Sequence, residues 1–360
     1  MAVSPSYDGH GLVNLVAELE YRLTGSALSP RLVDPERVPD GDTYILVVFD
    51  GLGVAQMAHP GAGIFRAATR GVLEAPFPTT TSVSLATMAT GLPPSRHGLV
   101  GHLVWLEELG RVVNTLKWVT LTGDAVDYPY GQLLPMPNLW ERLRSNGVEP
   151  ITVQPGDFEG SPLSQALYRS ARFEGVWEAG EMVRATTQLA SEPGRLIFTY
   201  FPEVDYAAHV FGLDSSEFTR SVDEAADLWE RIATGLPPGA VLLGTSDHGL
   251  APFPDDKKLL VRGTAYSNLR FAGDSRGVQM WGDPDQMERL AAESGGELTN
   301  PADLVGPSPT ATTKARLGER VLLPPDDLVV IPKGFDKRLA CYHGGLSRAE
   351  VEIPLVVHAP

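Results

Sequence analysis

Apolar, β-branched runs that end in Asp or His recur along the chain, and no other feature restricts its fold as strongly. Asp50 closes the run in VVFDGLG, Asp205 and His209 follow one in YFPEVDYAAHVFG, Asp247 and His248 follow another in LLGTSDHGL, and His343 lies in CYHGGLS. Short runs bounded by turn residues read as strands, here at 43–49, 149–153, 196–201, 240–245 and 352–357. Helical periodicity fills the intervals at 12–23, 82–89, 138–146, 177–189 and 216–233. Alternating strands and helices predict an α/β fold, a mostly parallel sheet flanked by helices on both faces. Ligands bind such sheets beyond the carboxyl ends of the strands. Asp50, Asp205 and Asp247 fall at or just after those ends, so the fold and the reactive residues point to one place.

Residues 251–339 separate the Asp-His pair from His343 and break the alternation. They mix short β-like pieces at 258–262, 267–271 and 277–281 with a helix at 283–294 and a Pro-rich stretch at 322–332. The stretch reads as a cap or lid inserted into a single catalytic domain spanning 1–360.

Charge narrows the partners. The net charge is −16 and the pI is near 4.9, without the basic footprint of a nucleic-acid binder, so neither a duplex nor a membrane surface is expected. Bound cations can still reverse the local potential and admit a small anionic substrate. A lone Cys341 excludes an internal disulfide and suits a reducing compartment. Residues 1–25 lack a basic start followed by an apolar stretch, and no apolar run reaches the length of a membrane span. The expected location is cytoplasmic; the oligomeric state is unreadable.

Taken together the segments supply three Asp and three His, and a hydroxyl run, PTTTS, precedes the predicted helix at 82–89. Hydroxyls there commonly cap a helix. A hydroxyl at a helix N-terminus also faces free N–H groups and a dipole that favour an anion. Thr81 is a poor nucleophile unless a base or metal lowers its pKa. Asp205 and His209, four apart, share one face of a helical turn. Asp247 and His248 are adjacent on a turn, and the glycines after Asp50 and His343 allow close approach. Singly each signal is weak; together they form the inventory for two divalent metals and an activated hydroxyl.

The order and spacing of these segments resemble the alkaline phosphatase superfamily, and within it the type I phosphodiesterase/nucleotide pyrophosphatase family. PTTTSVSLATMATGLPPSRHGLVGH is similar to that family's nucleophile segment. The resemblance implies an alkaline-phosphatase-like fold with Thr81 as nucleophile. One metal would be held by Asp205, His209 and His343, and the other by Asp50, Asp247 and His248 with the Thr81 oxygen. It implies zinc at both sites; manganese or iron would suit the same donors. Two departures stand out. His102 occupies the place of an Asn that donates to a phosphate oxygen, and Ser82-Val83-Ser84-Leu85 replaces Phe-Pro-Asn-His. His102 is therefore a candidate for substrate binding or proton transfer.

Two divalent cations would balance three carboxylates and a Thr81 alkoxide, which suits a singly charged diester better than a dianionic monoester. The expected reaction is hydrolysis of phosphodiester or nucleotide pyrophosphate bonds through a phospho-threonine. Monoester or phosphonate hydrolysis on the same site is the nearest alternative, and a non-catalytic metal- or nucleotide-binding regulator comes from another class. His97, Lys117 and Cys341 read as structural or solvated, and the aromatic residues Trp105, Trp118, Tyr128 and Tyr130 as packing.

Overall fold

A seven-stranded sheet carries the site in the computed structural model, which describes residues 3–359. Its central strand, Thr43–Phe49, is buried at all positions, as an apolar run covered on both faces must be. Arg195–Phe201 and Ala240–Thr245 pair with it in parallel on either side. Glu149–Pro155 and Arg172–Val176 continue the parallel order beyond Arg195–Phe201. On the other flank Glu352–His358 runs antiparallel to Ala240–Thr245, with Thr69–Glu74 as its antiparallel edge neighbour. The chain enters Glu352–His358 from the loop of His343, already at the carboxyl edge of the parallel strands. Too few residues remain there for the crossover that a parallel strand needs.

Helices cover both faces. Leu12–Thr24 and Thr81–Thr90 pack on one face with Leu139–Ser145, burying Leu15, Leu19, Leu85 and Trp140 against Leu46 and Phe198. Ala179–Leu189 and Ser216–Thr234 cover the other, setting Val183, Val222 and Trp229 against Ile45, Val47 and Leu242. The predicted α/β fold is the observed one. Among the described residues no helix is long and apolar enough to cross a membrane.

A second sheet lies over the carboxyl ends. Glu297–Thr299, Arg320–Leu323, Gly277–Gly282 and Leu269–Asp274 come from residues 251–339. Leu103–Leu106, Arg111–Asn114 and Val119–Thr120, which directly follow the hydroxyl-bearing segment, complete it. Helix Pro284–Ser294 starts at Asp283, whose side chain accepts from the backbone N–H of Asp285 and Gln286. A buried ion pair joins the two layers. Arg276, in the turn of the second sheet, meets Glu350 at 3.0 Å in the short helix Arg348–Val351.

Candidate active site

Asp50, Asp247 and His248 converge at the carboxyl ends of Thr43–Phe49 and Ala240–Thr245, all three buried. His248 Nε2 lies 3.6 Å from Asp50 Oδ1 and 3.4 Å from Asp247 Oδ2. Asp247 Oδ1 accepts from the Gly51 and His248 backbone N–H groups, and Tyr200 donates its hydroxyl to Asp50 Oδ2. Gly51 makes this possible: its φ is +73°, and a Cβ there would stand 2.9 Å from Asp205. Burial, then the nearby carboxylates of Asp247 and Asp205, push the Asp50 pKa well up. Burial raises that of Asp247 as well.

Asp205, His209 and His343 form the second group. Helix Glu203–Phe211 begins just after Arg195–Phe201 and presents Asp205 and His209 one turn apart, 3.2 Å from Oδ2 to Nε2. His343 Nε2 lies 3.1 Å from His209 Nε2. His209 Nδ1 donates to the Cys341 carbonyl at 2.7 Å and His343 Nδ1 to the Thr79 carbonyl at 2.9 Å, so both Nε2 lone pairs face inward. Burial opposes ionisation of Asp205, yet the charges of His209 and His343 hold its pKa below the usual range. Burial works against charging His209 too, but the Asp205 carboxylate outweighs it and raises that pKa. For His343 burial prevails, seconded by His248, and its pKa falls well below the ordinary value.

Thr81 opens helix Thr81–Thr90, with its Oγ1 3.1 Å from His248 Nε2. Ser84, one turn on, donates to the Asp247 carbonyl at 2.7 Å, and Ser82 donates to the Gly101 carbonyl at 3.2 Å. Those hydroxyls, in the tetrapeptide that departs from the resembled family, lock the helix onto its neighbours. Thr79 performs the same service for the His343 loop: its Oγ1 donates to the Gly345 carbonyl and accepts from Gly344 N–H.

Both groups fit divalent cations. Asp50 Oδ1, Asp205 Oδ1 and Asp247 Oδ2 are buried and find no hydrogen-bond donor among the described residues. A buried carboxylate oxygen without a donor is costly, and a cation removes that cost. Each group also offers three ligand atoms within 4.8 Å of one another. All three His rings place Nδ1 against a backbone carbonyl, Gly249 for His248, leaving Nε2 as the donor, the orientation metal-bound imidazoles adopt.

His102 lines the same cleft, about 920 Å³ in volume, with Thr81, Asp205, His209 and His343. Asn114 fixes its tautomer. The Asn114 Oδ1 accepts from the Leu116 and Lys117 N–H groups, so its Nδ2 donates to His102 Nε2 at 3.0 Å. The ring N–H left for a ligand is then Nδ1. Burial, followed by the charges of His209 and Lys117, brings the His102 pKa down to about 4. Tyr200, Asn114 and Asp274 escaped the sequence reading; Asp274 ends a strand, its one legible signal.

The residues read as structural behave variously. His97 accepts from Leu99 N–H at Nδ1 and donates from Nε2 to Thr87, a buried helix-to-loop clasp. Trp118 stacks on Tyr128 with ring centroids 5.6 Å apart, and neither lines the cleft. Lys117 is exposed but lines the cleft.

No curated protein matches the sequence. Solved structures of similar fold include murine ectonucleotide pyrophosphatase/phosphodiesterase 5, at 16% identity and a TM-score of 0.65, with 88% of each chain covered. The human counterpart gives 15% identity and a TM-score of 0.64, again over 88% of each chain. Phosphonoacetate hydrolase from Sinorhizobium meliloti 1021 gives 16% and 0.64, over 89% of this chain and 91% of that one. The family model for type I phosphodiesterase / nucleotide pyrophosphatase matches residues 44–270, well over half of the chain. The chain therefore belongs to the type I phosphodiesterase/nucleotide pyrophosphatase family and is a hydrolase of that type.

Proposed function

We propose that this hydrolase cleaves phosphodiester or nucleotide pyrophosphate bonds through a phospho-threonine on Thr81, with two divalent cations, zinc foremost, as cofactors. The observation that carries the reading is the Thr81 hydroxyl at a helix N-terminus, 3.1 Å from His248 and lining one cleft with Asp205, His209 and His343. Asp50, Asp247 and His248 would hold one ion and Asp205, His209 and His343 the other. When bound, the ions would supply Lewis-acid charge to the phosphate oxygens and lower the pKa of the Thr81 hydroxyl.

The chain's own groups account for the rest. Thr81 Oγ1 attacks phosphorus as the bond to the leaving oxygen breaks. Water then displaces Thr81 from phosphorus and restores the hydroxyl. Free N–H groups in the first turn of Thr81–Thr90 face the phosphate, where the helix dipole favours negative charge. His102, held neutral, offers its Nδ1–H to a phosphate oxygen in place of an amide. We read the stretch 251–339 as a lid, a reading supported by its contributions to the cleft wall.

Relatives of similar fold support a phosphate-bearing ligand. An inactive threonine-to-alanine form of the murine protein is in complex with AMP, and the bacterial hydrolase is in complex with phosphonoacetate. Phosphonate hydrolysis on the same site is the second reading, and the latter complex favours it.

Initial rates on bis-p-nitrophenyl phosphate and p-nitrophenyl phosphate, with zinc or manganese and with EDTA, test the reaction. The diester is expected to be preferred, with metal-dependent turnover. Thr81→Ala is expected to lower turnover by about 10³-fold or more, and mass spectrometry of quenched wild-type enzyme to find phosphate on Thr81. Full activity in Thr81→Ala would overturn the covalent route.

A further inference from the structure

The carboxylates of the site are held in different ways. Asp247 Oδ1 accepts from three donors, the Gly51 and His248 backbone N–H groups and the Ser246 hydroxyl. Asp205 Oδ2 lies 3.2 Å from His209 Nε2, inside its own donor group. Asp50 depends on one side chain from outside both groups. Its Oδ2 takes the Tyr200 hydroxyl, and its Oδ1 has no donor among the described residues. A single hydroxyl therefore governs how Asp50 is turned.

The placement follows from the register of the sheet. Tyr200 pairs with Val48, two residues before Asp50, so the Tyr200 and Asp50 side chains leave the same face. A phenol spans that one repeat of the pleat, whereas a phenylalanine would reach as far and donate nothing. The ring is buried in one core layer with Leu46, Val48 and Phe198, and its centroid lies 6.3 Å from that of Phe158. Asp50 is pinned at its backbone, where its N–H donates to the Phe201 carbonyl at 3.0 Å. Two neighbouring strands thus fix both ends of the bond. With Oδ2 held, Oδ1 is the oxygen left for a cation, and it lies 3.6 Å from His248 Nε2 of the same donor group.

We propose that Tyr200 is a positioning residue for the metal centre: by occupying Asp50 Oδ2 it makes Asp50 a one-oxygen ligand, and so keeps low the coordination number of the cation held with Asp247 and His248. The proposal rests on the two-cation reading above and adds to it the residue that shapes one of the two sites. Without the hydroxyl, Oδ2 would be left buried and undonated, which is costly. Turning toward the cation removes that cost, because carboxylates bind hard ions through one oxygen or both. Zinc favours few ligands, whereas a chelating carboxylate suits ions that take about six or more oxygens. Groups that hold a ligand in place commonly contribute about 10- to 100-fold to metal affinity. The Tyr200 hydroxyl is bonded to Asp50 and not to Asp205, His209 or His343, so its effect is confined to one ion.

The test titrates the full chain, stripped with EDTA, with zinc against a chromophoric chelator. Asp50→Ala identifies which zinc affinity belongs to the Asp50 group. Tyr200→Phe is expected to weaken that affinity about 10- to 100-fold and to leave the other unchanged. Tyr168→Phe removes a buried phenol of the same core layer that bonds to none of the six donor residues, and is expected to match wild type at both ions. Cobalt, a visible probe of zinc sites, reports the coordination number, since its absorption weakens as ligands are added. The band lost in Asp50→Ala is expected to be weaker in Tyr200→Phe than in wild type. Equal zinc affinities in wild type and Tyr200→Phe, or an unchanged cobalt band, would overturn the positioning role. Equal falls at both ions, the mark of a loosened fold, would overturn it too. The wild-type titration alone decides the two-cation reading. Fewer than two zinc ions sinks that reading, and Tyr200 then keeps its role only if the remaining ion is the one lost in Asp50→Ala.

Discussion

Asp274 forms part of the cleft wall with its carboxyl group buried, and its Oδ2 accepts from the His102 backbone N–H at 3.3 Å. Burial pushes its pKa up to about 7, against the pull of that N–H and of the Thr80 side chain. A raised carboxyl pKa means that the folded chain holds the proton more tightly than the unfolded one. Its contribution to stability is complete below the unfolded value of about 4 and is lost as pH rises through about 7. Asp274→Asn removes that loss, so the variant is expected to gain stability relative to wild type between pH 5 and pH 8. Urea denaturation at both pH values measures it. Parallel pH profiles would show that Asp274 ionises in the folded chain as freely as in water.

At the scale of elements, one buried carboxylate organises the return of the chain to the site. Glu350 accepts from Gly345 N–H at 2.9 Å and from the Ser347 hydroxyl at 2.6 Å, and pairs with Arg276. Arg276 also donates to the Pro325 and Leu328 carbonyls. The pair thereby fixes the turn of the second sheet against the loop that carries His343. Glu350→Ala strands a buried guanidinium and is expected to cost about 3–5 kcal/mol in urea denaturation. A cost under about 1 kcal/mol would mean that water reaches Arg276 and that the pair is not a tie between layers. These links were invisible in the sequence, as were several elements. Leu103–Leu106 and Arg111–Asn114 are four residues each, and the edge strand Thr69–Glu74 alternates without an apolar face. Strands that short gain their identity from neighbours.

For the whole molecule, the folded chain gathers Asp50, Asp205 and Asp247, each with one oxygen that finds no donor among the described residues. Ions that bind only the folded chain stabilise it by about 2.7 kcal/mol at a hundredfold excess over Kd. EDTA, by removing both ions, is therefore expected to lower the Tm by about 7 °C, and zinc to restore it at two ions per chain. A Tm indifferent to both EDTA and zinc would remove the two-ion reading, whatever the activity.

The sequence alone determined five of the sheet's seven strands and the Asp and His residues at their ends, because burial on both faces writes itself as continuous apolar runs and Asp or His after them is a local signal. Asp205 and His209 were legible as a pair for the same reason, since a four-residue spacing on a helix is local geometry. Only the tertiary structure decided what lies around them. Tyr200 meets Asp50 across two neighbouring strands, Asn114 sets the His102 tautomer from the next strand of the second sheet, and Lys117, which read as an ordinary solvated lysine, joins Arg262, Lys333 and Lys337 around one cleft. Contacts between residues far apart in the chain depend on which elements the fold brings together, and no local pattern encodes that.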